Sequence, residues 1–258
     1  MNDKKEKQLP QGVALSWGLV KSSKRGPKRE LSLKQIVDVA INIADKEGLS
    51  KVSMSKVAAS LGFTAMSLYR YIPSKEDLLL LMQDGVCDVN LTPKYKGENW
   101  REAMREYVHK CIQIFTEHPW FIDIPLSGIP MTPYNLRMVD WVLQGLRDLP
   151  LNDNEKMSFF LLLNSYARAN GLIKRDLDQA MRTSKEEEVS GRAYNEVLKK
   201  LVTPDRFPYL HPVVASDVYT GENTEEEGDD LDFGLERILD SIQHYVDMKN
   251  ARRCSKNG

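Results

Sequence analysis

Between Ser53 and Lys75 the chain reads Ser-Met-Ser-Lys-Val-Ala-Ala-Ser-Leu-Gly-Phe-Thr-Ala-Met-Ser-Leu-Tyr-Arg-Tyr-Ile-Pro-Ser-Lys. Small, polar and methyl-bearing groups follow a cap-type residue at Thr64. At the start of a helix such groups suit base edges in a major groove. Thr64, Ala65, Met66 and Ser67 are the candidates for base contacts, with Ala65 and Met66 matched to thymine methyls. Arg70, one turn beyond Ser67, suits guanine or a phosphate. Upstream, Lys24-Arg25-Gly26-Pro27-Lys28-Arg29 is a basic cluster whose Gly-Pro step favours extended backbone, and Arg25, Lys28 and Arg29 are candidates to follow a groove or a phosphate ridge.

These residues need elements to hold them. A short amphipathic helix over Met54–Leu61 stops at Gly62, and a second begins under Thr64, keeping Leu68 and Ile72 for the core. A helix before them is capped by Ser32 with Gln35 three residues on, and Leu31 and Ile36 stand as a hydrophobic staple. Its apolar residues Ile36, Val37, Ala40, Ile41 and Ala44 recur at helical spacing until Gly48. Ser53 caps the next helix, with Val52 and Val57 at staple positions, and Ser74 caps a fourth with Asp77 in its first turn. The pattern is a helix-turn-helix, although by pattern alone a three-helix packing unit without nucleic acid reads the same way.

The run Leu61 to Leu78 closely resembles the DNA-binding signature of the TetR (tetracycline repressor) family of bacterial transcription regulators, and the likeness extends over residues 31 to 80. His118-Pro119-Trp120 and Phe233 to Leu239 resemble the ligand-binding domain of the tetracycline-repressor branch. The resemblance implies that Tyr69, Tyr71 and Lys75 hold the phosphate backbone. Ser53 and Ser55 belong to the same interface, Ser55 at a position from which some members touch a base. It also implies a larger helical domain with a small-molecule cavity and a dimer interface of two helices per subunit. Tetracycline-binding members use magnesium, whose ligands match no residues here, so no metal and no cofactor is assigned.

For the cavity, Met104, Tyr107, Phe121, Trp141, Phe159, Asn164, Tyr166 and Arg168 combine apolar bulk with polar handles, as a ligand site requires. For the interface, the apolar stripes of a long helix Glu155–Met181 and a final helix Phe233–Lys249 are candidates to close a four-helix bundle across a two-fold axis. Other helices are expected from Trp100 to His118, from Thr132-Pro133 to about Asp148, opening at Asn152 with Glu155, and from Lys185 to Val202. Thr92-Pro93 is expected to break the fourth helix. No alternating strand pattern occurs, so the fold class is all-α.

Composition bounds the reading. Residues 1 to 80 carry 14 Lys/Arg against 8 Asp/Glu, leaving 22 against 29 for the rest of the 258 residues, so a net charge of −1 conceals a basic front and an acidic back. A local positive excess is what a polyanion binder needs. Three cysteines, Cys87, Cys111 and Cys254, share no ligand-like spacing and fit a reducing cytoplasm. No apolar run reaches the roughly 18 residues of a membrane span, and no membrane partner is expected. The expected division is a flexible arm over 1–30, within which Trp17 points to some packing, a DNA-binding domain over 31–80, a helical ligand-binding and dimerisation domain over 81–250, and a tail over 251–258. The acidic stretch Tyr219 to Asp232 reads as a mobile loop. No Walker-type loop, His-Glu-x-x-His or nucleophile elbow occurs, so an enzyme is not expected. The functional expectation is a homodimeric, ligand-responsive repressor that binds a palindromic double-stranded DNA operator and leaves it for a small-molecule inducer. The alternative is a DNA-binding protein whose large domain only dimerises.

Overall fold

The computed structural model describes residues 9–20, 31–91, 99–125, 131–183, 191–216 and 230–255. Among these, eleven α-helices and no strand occur: α1 Gln11–Ser16, α2 Leu33–Glu47, α3 Met54–Leu61, α4 Ala65–Tyr69, α5 Lys75–Val86, α6 Trp100–Glu117, α7 Pro133–Gly145, α8 Asp153–Thr183, α9 Gly191–Leu201, α10 Leu210–Ala215 and α11 Asp230–Cys254. The all-α expectation holds.

Local chemistry sets the boundaries of the first elements. Ser32 and Gln35 form a reciprocal capping box at the start of α2, and Leu31 and Ile36 are buried beside it. Ser53, Thr64 and Ser74 each accept the backbone amide three residues on, at 3.2, 3.3 and 3.0 Å, and so cap α3, α4 and α5. Caps of this kind contribute about 1 kcal/mol each. Gly62 ends α3 at φ 78°, a left-handed conformation that favours glycine. Asn152 and Glu155 exchange side-chain and backbone bonds at 2.9 and 2.7 Å to open α8.

The core of the N-terminal helical head is built from Ile36, Ala40, Val52, Val57, Leu68, Ile72, Leu78 and Met82, all fully buried, with Ala44 and Ile43 closing its edge. On α2 the buried positions are Ile36, Val37, Ala40, Ile43 and Ala44, so Ile43 takes the place that periodicity had assigned to Ile41.

Helix α5 is held at both ends by its own acids. Near its start, Asp77 Oδ1 accepts the Gly12 amide of α1 at 2.7 Å, while Oδ2 accepts Ser74 Oγ at 2.7 Å. A Cβ on Gly12 would lie 2.6 Å from Asp77 Oδ1, so the approach requires glycine. Near its end, the buried Asp84 accepts the Tyr134 and Asn135 amides of α7 at 2.9 and 3.1 Å. Neither α1 nor α7 has a side-chain cap of its own. The acids of α5 supply acceptors for amides that every helix start leaves without an internal partner.

Two expectations need correction here. The arm over 1–30 is helical at Gln11–Ser16, with Val13 2% exposed and Trp17 Nε1 donating to Met131 O at 2.8 Å. Its periodicity is hidden because six residues are too few to show one. Helix α5 ends at Val86, before Thr92-Pro93, which lies outside the described residues. Arg137 Nη2 holds Asp88 Oδ1 and Val89 O at 3.0 Å each, which anchors the chain just past that end.

By packing, the chain divides into two compact units, residues 1–168 and 169–258, with the division inside α8 and not at the composition change near residue 80. In the second unit, Val202, Val214, Leu235, Leu239, Ile242 and Val246 are buried. The acidic stretch expected to be a loop falls almost wholly outside the described residues.

Truncating Asp84 to Ala leaves two amides of α7 without their acceptor. Urea denaturation is expected to show a loss of about 1–3 kcal/mol.

Candidate nucleic-acid interface and ligand cavity

Packing decides which residues of the helix-turn-helix face solvent. Leu68 and Ile72 are fully buried, and this turns Met66 and Tyr69 outward at 76% and 47% exposure. Ser53, Ser55, Thr64, Arg70 and Lys75 are exposed, whereas Ala65, Ser67 and Tyr71 are half-buried. Not every polar group is equally available. Ser53 Oγ accepts the Lys56 amide, and the Thr64 and Ser67 hydroxyls lie 3.0 Å apart in a mutual hydrogen bond. That leaves Met66, Tyr69 and Arg70 as the outward side chains of the segment, with Lys75 at the first position of α5. Arg25, Lys28 and Arg29 lie outside the described residues.

A cavity of about 420 Å³ lies in the first unit, between α5, α6, α7, the 3-10 turn Pro119–Asp123 and the first half of α8. This is within the range of about 300–1,000 Å³ that small-molecule sites occupy. Four of the candidate residues line it: Tyr107, Phe121, Asn164 and Arg168. They are joined by Gln83 and Cys87 at the end of α5, Cys111, Ile114 and Phe115 on α6, Asn135, Met138 and Val139 on α7, and Phe160 and Leu161 on α8.

Met104, Trp141, Phe159 and Tyr166 do not line it. Helix geometry gives the reason. On α8 the lining residues are 160, 161, 164 and 168, one face at helical spacing, and Phe159 and Tyr166 fall off it. On α7 the face is 135, 138 and 139, which excludes Trp141. Met104 has the right face on α6 but is fully buried, its Cε only 2.9 Å from where a Cβ on Gly145 would stand. Of the residues that sequence reasoning missed, Cys111 and Phe160 repeat the Tyr107 and Asn164 faces at i+4 and i−4, and for these two that spacing was the available signal.

The cavity wall is a hydrogen-bonded network. Tyr107 donates to Asn164 Oδ1 at 3.2 Å, and Cys87 Sγ donates to Asn135 Oδ1 at 3.4 Å. Asn135 Nδ2 in turn reaches Asp84 Oδ1 at 3.3 Å and Thr132 Oγ1 at 3.1 Å. Burial raises the Cys111 thiol to about 12, with its hydrogen-bond contact with Tyr107 acting in the opposite direction. Burial likewise raises Cys87, reinforced by the neighbouring Cys111 and Asp84. The Tyr107 phenol is held well above its usual range by burial and by Cys111. Burial lowers the Arg168 guanidinium, partly countered by Asp123. Among the described residues, no three His, Cys, Asp or Glu side chains gather to hold a metal ion, and no helix is long and apolar enough to cross a membrane.

An exposed helix-turn-helix joined through α5 to a helical body with a cavity is the architecture of a DNA-binding regulator. The model for bacterial regulatory proteins of the tetR family matches residues 36–82, and the model for the tetracyclin repressor-like C-terminal domain matches residues 92–246. The chain is 33% identical over 238 residues to the HTH-type transcriptional repressor DrrR1 of Streptomyces coeruleorubidus, covering 91% of this chain and 85% of that one. Its fold is similar to that of ActR from Streptomyces coelicolor. The apo form gives a TM-score of 0.65 at 24% identity over 84% of this chain and 99% of that one. The form in complex with actinorhodin gives 0.67 at 23% identity over the same shares. The chain therefore belongs to the TetR family of bacterial transcription regulators, with a C-terminal domain of the tetracycline-repressor type.

The raised thiols predict slow chemistry inside the cavity. At pH 8 a thiol of pKa about 12 is roughly one part in 10⁴ thiolate, so Cys111 and the still higher Cys87 are expected to resist Ellman's reagent while the exposed Cys254 reacts. Counting thiols with and without denaturant measures this: one fast group when folded, three when unfolded.

Proposed function

We propose that this chain is a homodimeric repressor that grips a palindromic operator with α4 and the start of α5, and releases it when a small molecule fills the cavity. One observation carries the reading. Helix α5 bears Lys75 at its exposed first position and places Gln83 and Cys87 in the cavity wall, so a single rigid element touches both functions. An occupant that prefers a different setting of α5 shifts the population away from the DNA-competent form, with a coupling of about 1–3 kcal/mol, or 5- to 150-fold in affinity.

On the DNA, Met66 takes thymine methyls, Arg70 a guanine or a phosphate, and Tyr69, Tyr71 and Lys75 the backbone, with Ser53, Ser55, Thr64, Ala65 and Ser67 around them. The basic residues Arg25, Lys28 and Arg29 add phosphate contacts from the preceding segment. Support comes from DrrR1, which is named a repressor, and from ActR, a chain of similar fold captured with actinorhodin and with (S)-DNPA. Action on genomic DNA sets the site of function in the bacterial cytoplasm.

Dimerisation follows from what a two-fold operator demands and from apolar surface left over on α8. Leu162, Ile173 and Leu177 are 42%, 58% and 59% exposed and share one side of the helix. The stripe of α11 is different: Leu235, Leu239, Ile242 and Val246 are buried within the chain itself, which leaves Phe233 and Met248 as that helix's exposed apolar groups. The interface we propose therefore uses α8 with the Phe233–Met248 side of α11, not the Leu235–Val246 stripe.

A duplex selected from random sequence tests the reading. Lys75→Ala is expected to weaken binding to all duplexes alike and to lower the slope of log affinity on log salt by about 1. Tyr69→Ala is expected to abolish retention in a gel shift. Light scattering should show both variants still dimeric, and unchanged DNA affinity in both would refute the contact assignment.

A further inference from the structure

The turn that follows α6 is held by two elements at once. On one side stands Asp45 of α2: its Oδ1 accepts Trp120 Nε1 at 2.6 Å and pairs with His118 Nδ1 at 2.9 Å. On the other side stands Arg168 of α8, whose Nη2 donates to the carbonyls of Ile122 and Ile124. Between these holds, the Phe121 ring forms part of the cavity wall, with ring centres 5.6 Å from Phe115 and 6.1 Å from Trp120. One short segment thus touches the DNA-reading head, the cavity and the long helix.

The lining chemistry indicates what occupant acts on it. Four aromatic rings, Tyr107, Phe115, Phe121 and Phe160, face a space of about 420 Å³, which suits a planar ring system. Arg168 is the one charged side chain among the lining residues; Asp123 acts on it from the turn, but no carboxylate lines the space itself. Its two bonds to the turn come from a single terminal nitrogen and end on neutral carbonyls. A carboxylate is the stronger acceptor, because bonds between ionised partners are roughly twice as strong as neutral ones and a guanidinium fork can make two in parallel.

We propose that residues 118–124 are a latch between the cavity and α2, opened by a planar aromatic acid whose carboxylate takes Arg168 from the Ile122 and Ile124 carbonyls. With that hold lost and Phe121 displaced by the ring system, Trp120 and His118 leave Asp45, and α2 is freed to shift with the rest of the head. This rests on the cavity being an inducer site, and adds to it the class of inducer and a route of coupling that does not pass through α5. Linkage then requires that the acid bind the DNA-free form more tightly than the DNA-bound form, by the same factor as it weakens DNA binding.

Anthracene-2-carboxylate and its uncharged counterpart 2-(hydroxymethyl)anthracene are suitable probes, followed by their own fluorescence, with a selected duplex as the second ligand. In the wild type the acid is expected to bind and to weaken duplex affinity 5- to 150-fold, while the alcohol binds about tenfold or more weakly. Arg168→Gln should remove the preference for the acid. Trp120→Phe keeps the ring and loses the Nε1–H bond; it should bind the acid within about threefold of wild type yet lose the acid's effect on duplex affinity. If Trp120→Phe disturbs the cavity, Asp45→Ala, on α2 and outside the lining residues, removes the acceptor itself and gives the same reading of the latch. Full acid-driven release in both latch variants overturns the route. Equal binding of acid and alcohol, or binding of neither, overturns the ligand class. A wild type that retains no duplex without any probe refutes the regulator reading itself, and the titration without probe reports that separately.

Discussion

The position of α5 depends on two carboxylates that accept amides from other helices. Asp77 and Asp84 are seven residues apart, two turns, and so lie on one side of the helix. The first receives Gly12 from α1; the second receives Tyr134 and Asn135 from α7. Both partner helices lack a side-chain cap of their own, so α5 closes their starts from outside. Charge adds to geometry, because a helix start is the positive end of its dipole. An element fixed in this way is a rigid connection between whatever lies at its two ends, here Lys75 toward solvent and Gln83 with Cys87 in the cavity wall.

The cavity has a mixed character that follows from its neighbours. Its apolar wall comes from the same helix faces that elsewhere make core, and several of its polar groups are engaged with one another. Tyr107 holds Asn164, Cys87 holds Asn135, and Asn135 reaches the Asp84 anchor. Asn135 thus links the cavity wall to the carboxylate that holds the end of α5. Protonated thiols keep the site chemically quiet, since burial holds both cysteines far above neutral pH.

What was legible beforehand was short in range. The capping residues Ser32, Ser53, Thr64, Ser74 and Asn152 act on amides three residues away, and Gly62 acts on its own dihedral. Four of the eight named residues line the cavity because bulk and polarity mark an interior helix face, but residues adjacent in sequence point about 100° apart around a helix. Phe159 and Phe160 differ by that rotation alone. The stripe of α11 misled in the same way, since apolar spacing tells that a face is covered and not by what. Helix α1 was hidden in a polar arm because its stability comes from docking; a six-residue helix alone is far below the length at which helices persist in water.

The sequence by itself determined the longer helices, the turn between α3 and α4, the exposed reading segment and the family, because each of these rests on interactions within about one helical turn. The tertiary structure decided where α5 ends, that α1 docks, which rings face the cavity and that Asp45 meets Trp120. Those contacts join residues 65 apart for Gly12 and Asp77, 75 for Asp45 and Trp120, and 114 for Trp17 and Met131. No local pattern encodes such pairings, because each depends on the path of all the chain between.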